Sequence, residues 1–86
     1  MMRTPWTRVI GEKLTVLQTA DIGGDEQSEL LAGTKSGAVH VLNVRSGEPL
    51  ARVSPADSPV QQILSGGEGA LVVHADGEVR EIRLAP

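Results

Sequence analysis

The chain has 86 residues, a formal net charge of −3, no cysteine and a single aromatic residue, Trp6. That length allows one small core, burying only about 60% of the surface of the unfolded chain, and the lack of cysteine excludes disulfide staples and thiolate metal sites. Acids and bases are interspersed without a basic stripe, which argues against a nucleic-acid partner; no apolar run reads as a signal peptide or a membrane span, so a cytoplasmic, membrane-free location is expected.

In chain order, the sequence predicts strands over residues 6–10, 14–20, 29–34 and 38–44, then over 50–53, 60–64, 70–75 and 78–84. Turn-forming residues separate them: Gly11, Gly23-Gly24, Ser36-Gly37, Ser46-Gly47-Glu48-Pro49, Ser54-Pro55, Ser58-Pro59, Gly66-Gly67 and Asp76-Gly77. No stretch of helical length keeps a three-and-four apolar spacing free of glycine or proline, so helix is at most a minor component. With Tyr and Phe absent, the core must be built from Leu, Val, Ile and Ala, which suits flat β layers.

The clearest hairpin is ELLAGTKSGAVHVLNV, residues 29–44, in which two apolar, β-branched runs flank Lys35-Ser36-Gly37. It recurs in ALVVHADGEVREIRL, where Gly77 falls 40 positions after Gly37. The repeat extends upstream at an offset of 44: PWTRVI (5–10) matches PLARVS (49–54), and TVLQ (15–18) aligns with PVQQ (59–62). Unit one therefore spans about 5–44 and unit two about 49–84, each with four candidate strands. A period near 40 with four strands per unit is the pattern of a β-propeller blade. The expected fold is all-β, with two tandem four-stranded antiparallel β-propeller blades in one module. Alternation puts Val39 and Val41 toward one neighbouring blade, with a change of face near Leu42 and Val44.

If the hairpin forms the middle of a blade, PWTRVI and PLARVS are outer strands read ahead of the other three, so that each completes the preceding blade. Two blades do not close a ring, and an isolated blade leaves broad apolar faces open. Head-to-tail association of two to four copies is one expectation. A fragment of a larger propeller, or a two-sheet module that never closes, is the alternative.

TADIGGDEQSELLAGTKSGAVHVLNV, residues 19–44, resembles the FG-GAP or VCBS repeat of integrin α-type propellers, in which an acidic loop DxDxDGxxE precedes ELxxGTxxGxVxV. Leu30, Gly33, Thr34, Gly37, Val39 and Val41 follow in register. The resemblance implies a calcium loop with Asp21, Asp25 and Glu29 as ligands. Calcium takes six to eight oxygens, whereas Gly23 here removes one ligand and Glu26 stands where a turn glycine is expected. The other reading is a solvated acidic turn with Asp21 bonded to local amides. The second unit lacks the acidic loop and resembles a generic WD or quinoprotein-type blade.

No other constellation carries chemistry. His40 and His74 occupy non-equivalent repeat positions and are expected at surfaces or edges. Ser65-Gly66-Gly67-Glu68-Gly69 has no following helix to hold a phosphate and reads as a turn. No nucleophile elbow or acid-base carboxylate pair stands out, and a quinoprotein-type enzyme would need a complete ring. The expected function is non-enzymatic: a protein-interaction scaffold that self-associates or joins further blades, with loops 46–49 and 54–59 as contact edges. A purely structural blade pair is the alternative.

Overall fold

A computed structural model describes residues 2–23, 28–54, 56–66 and 69–84. Among them the protein is all-β, built from two antiparallel sheets in sequence order. The first sheet holds β1 (Leu14–Ala20), β2 (Glu29–Thr34), β3 (Val39–Asn43) and β4 (Pro49–Val53), and the second holds β5 (Val60–Gly66), β6 (Gly69–His74) and β7 (Val79–Ile82). Neither sheet closes on itself.

Each hairpin is set by its turn chemistry. In both, the third residue of a four-residue connection is a glycine with positive φ, Gly37 at 95° and Gly77 at 94°, a conformation that glycine alone adopts without strain. The bonds that close the two turns are matched. Thr34 N donates to Ala38 O at 3.0 Å and Gly37 N to Thr34 O at 3.2 Å, while His74 N donates to Glu78 O at 2.8 Å and Gly77 N to His74 O at 2.9 Å. The β3–β4 connection is an Asx turn, with Asn43 Oδ1 accepting from Arg45 N at 2.9 Å and Ser46 N at 3.1 Å.

The internal repeat extends to the register. Gly33 pairs with Val39 and Leu31 with Val41, and forty residues on Val73 pairs with Val79 and Leu71 with Glu81. Each inner strand carries an irregularity at the same place, between Leu14 and Val16 in β1 and between Val60 and Gln62 in β5. These positions relate β1 to β5 by 46 residues, from Leu14 to Val60, which corrects the 44-residue alignment of TVLQ with PVQQ. Similar side chains suggested that alignment, but strand pairing and the irregularity fix the true correspondence.

PLARVS behaves as the outer-strand phase requires, since β4 pairs with β3 and completes the first sheet. Two expectations are corrected. Residues 6–10 form no strand; Trp6 and Arg8 instead hydrogen-bond Val44 O and Gly47 O at the β3–β4 turn. Because PLARVS joins the first sheet, the second has three strands among the described residues instead of four.

The sheets pack face to face. Ala20, Ile22, Leu31, Val39 and Val41 from the first half meet Val60, Ile63, Ala70 and Val72 from the second, with Val16, Ala51, Ile82 and Leu84 at the margin. Val39 and Val41 thus face the second sheet as alternation predicts, and Leu42 is buried on the opposite face. Hydrogen bonds that cross between the halves include Thr15 Oγ1 to Val60 O at 2.6 Å, His74 Nε2 to Gly37 O at 3.1 Å, and Leu84 N to Ile22 O at 2.9 Å. His74 is completely buried, contrary to the expectation of a surface or edge histidine. It stands at the repeat position of Thr34, where a side chain at the head of the turn is enclosed by the facing sheet.

Candidate functional site

The three residues that resemblance marks as calcium ligands have different settings. Asp25 lies outside the described residues, together with Gly24 and Glu26. Asp21 is partly buried and engaged in interactions of its own. Glu29 is buried at the start of β2, and its Oε1 accepts the buried Ile22 amide at 3.1 Å. An unpaired buried N–H costs about 1–3 kcal/mol, so this carboxylate has a structural task. Among the described residues no group of three or more His, Cys, Asp or Glu side chains is placed to hold a metal ion.

Sequence reasoning passed over a different cluster, centred on Glu12 just ahead of β1. Ser36 Oγ donates to its Oε1 at 2.6 Å, His40 Nε2 lies 2.5 Å from Oε2, and Arg52 donates through Nε to Oε2 at 3.2 Å. His40 and Arg52 are cross-strand partners on β3 and β4, so one carboxylate fastens the start of β1 to a turn and two further strands. No local motif announces this, because the four residues are spread across 40 positions of sequence and meet only through sheet pairing. The serine is bonded to the carboxylate and not to the imidazole, so the cluster lacks the nucleophile–base contact of a hydrolytic triad.

The Ser36 hydroxyl, followed by His40 and Arg52, lowers the Glu12 carboxyl from its ordinary 4.5 to about 2. A depressed folded-state value means that the cluster's stabilisation is present in full above pH 4.5 and is lost as pH falls toward 2. Glu12→Gln is therefore expected to be less stable than wild type at neutral pH and to converge with it near pH 2. The gap should narrow in high salt, as it does for an exposed ion network. Urea midpoints across that pH range test this; a gap that does not depend on pH would refute it.

Ahead of this cluster, residues 2–10 form no strand and touch the β3–β4 turn through Trp6 and Arg8. Trp6 Nε1 donates to Val44 O at 3.2 Å and Arg8 Nε to Gly47 O at 3.0 Å. Gly47 is required here, since a β-carbon at its position would run into the Trp6 ring.

A further feature is the far side of the second sheet. Register places Leu64, Leu71, Val73 and Val79 on one face, turned away from the core. Leu64 is 42% exposed, Leu71 38% and Val79 55%, whereas Leu31 and Val39, at the repeat positions of Leu71 and Val79, are fully buried. The outer edge of β7 carries no partner strand among the described residues. The Gly-rich segment near 65–69 belongs to the β5–β6 hairpin, with Gly66 paired to Gly69, and no helix follows it.

No helix among the described residues is long and apolar enough to cross a membrane. Comparison with protein-family models, curated proteins and solved structures gives no match for this chain, so its likeness to FG-GAP and VCBS repeats rests on the residues quoted above alone.

Proposed function

We propose that the chain is a non-enzymatic pair of β-propeller-like blades that binds other polypeptides through the open face and edge of its second sheet. The observation that carries this reading is the contrast between equivalent positions: Leu31 and Val39 are fully buried, while Leu71 and Val79 stand exposed beside a free strand edge. Contiguous apolar surface next to unpaired backbone groups is the setting for strand addition by a partner. The matched turns and register support the reading of two blades. A scaffold role is favoured over chemistry because, among the described residues, the Glu12 cluster fastens strands together and its serine bonds the carboxylate, not the imidazole.

The test is recovery of the tagged chain from its native host, comparing wild type with Val79→Lys. Val79 is 55% exposed, so the substitution should leave the circular dichroism spectrum unchanged. Wild type is expected to retain a stoichiometric polypeptide, either another copy or a different protein, and the variant to lose it. Recovery of nothing, or equal recovery by both, would overturn the reading.

A further inference from the structure

Resting on that reading, we infer that the occupant of the open edge is a second copy of this chain: residues 5–10 of one copy pair with β7 of another as its fourth strand, joining copies head to tail. The basis is the repeat itself. PWTRVI matches PLARVS, and PLARVS supplies β4, the strand that lines the corresponding edge of β3.

The equivalence specifies a register. Val39 pairs with Val53, His40 with Arg52 and Val41 with Ala51, while Leu42 meets Pro49 across a shift that leaves Leu50 over. Moving β3 forward by 40 and β4 back by 44 sets Val79 opposite Val9, Arg80 opposite Arg8 and Glu81 opposite Thr7, with Ile82 meeting Pro5 and Trp6 taking the place of Leu50. In the first sheet the carboxylate of Glu12 sits against both His40 and Arg52. Beside β7, Glu78 already holds Arg80 at 2.7 Å and places a carboxylate where Arg8 would arrive.

Two independent features agree with this arrangement. The segment leading into β1 already has the posture of the segment leading into β5. Lys13 O accepts Lys35 N and Pro59 O accepts Ala75 N, both at 2.9 Å. Glu12 meets Ser36 as Ser58 meets the backbone amide of Asp76, the residue equivalent to Ser36. Only the arm upstream of Glu12 departs from the pattern, folding back over the turn at Val44 and Gly47. The second feature is the space around the two turn glycines. A β-carbon on Gly37 would collide with the carbonyl of Ala56, from the segment that follows β4, whereas one on Gly77 would meet nothing within 4 Å. Gly77 therefore has the backbone of a turn that receives an incoming segment, with that space open.

The face completes the fit. In the chain's own interface, the side of the first sheet carrying Leu31 and Val39 packs on the second. The equivalent side of the second sheet carries Leu71 and Val79, and in the assembly it meets the opposite side of the next copy's first sheet, where Leu17 is 55% exposed. A head-to-tail contact of this kind closes into a ring when the rotation between copies allows it and extends into a filament otherwise.

The absence of cysteine gives a direct test. Val9→Cys and Val79→Cys, both at exposed positions, are purified separately, mixed as full chains and oxidised under mild conditions. The mixed disulfide between them is expected to exceed the Val9→Cys self-dimer by about tenfold, since a disulfide needs α-carbons within about 7 Å. Val9→Cys mixed with Leu64→Cys, two strands away from the edge, should show no such excess. Wild type should sediment as a multiple of the chain mass, and full-length Val79→Lys as a monomer. Random disulfide yields, or a monomeric wild type, would overturn the inference. A monomer that still captures a different polypeptide in a Val79-dependent way would overturn it while leaving the proposed function standing.

Discussion

Gly37→Ala is expected to cost about 2–5 kcal/mol, a large fraction of the stability of a domain this small. Two effects add. At φ 95° an alanine is strained by about 1–2 kcal/mol. Its methyl group would also overlap the Ala56 carbonyl, and that backbone atom can give way only by opening the contact between the halves, at about 1–3 kcal/mol. Gly77→Ala separates the two, having nearly the same φ of 94° but open space around the new atom. In dilute solution, where chains are apart, it should cost only the conformational part, about 1–2 kcal/mol. Equal losses at the two glycines would mean that the segment around Ala56 is not seated against the first turn.

Leu31→Ala is expected to cost about 2–5 kcal/mol, the range for emptying a buried leucine site. Leu31 is fully buried in the cluster shared by both sheets, and the core has no Phe or Tyr whose bulk could shift into the cavity. Leu71→Ala, at the repeat-equivalent position but 38% exposed, should cost well under half as much in separated chains, because less apolar area returns to water. Urea unfolding monitored by far-ultraviolet circular dichroism gives both values. A comparable loss at the two sites would contradict the assignment of inner and outer faces.

Much of the fold was legible without coordinates because the signals are local. Glycines at turn positions, apolar alternation and β-branched residues identify seven of the eight expected strands to within a few residues. The repeat offset of the hairpin also survives, because Gly37 and Gly77 have the same backbone requirement. The inner-strand offset did not, since Val and Gln recur at more than one spacing and only strand pairing chooses among them. PWTRVI reads as a strand and has the composition of one, yet within the chain its Trp6 and Arg8 bond the β3–β4 turn and join no sheet.

The candidate site was less legible. Glu12, Ser36, His40 and Arg52 carry no joint signature, and it takes three strands in register to bring them to one carboxylate. Histidine is intermediate in burial preference, so nothing local distinguished His74, fully buried and bonded to Gly37 O, from His40 beside Glu12.

The sequence by itself determined the strand-and-turn pattern, the near-40-residue repeat and the predominance of strand among the described residues, because each depends on the conformational preferences of neighbouring residues. Tertiary structure alone decided which of two equivalent faces is buried. The two sheets have nearly the same local design, and Leu31 is buried where Leu71 is exposed only because the second sheet packs on one side of the first and no part of the described chain packs on the far side of the second.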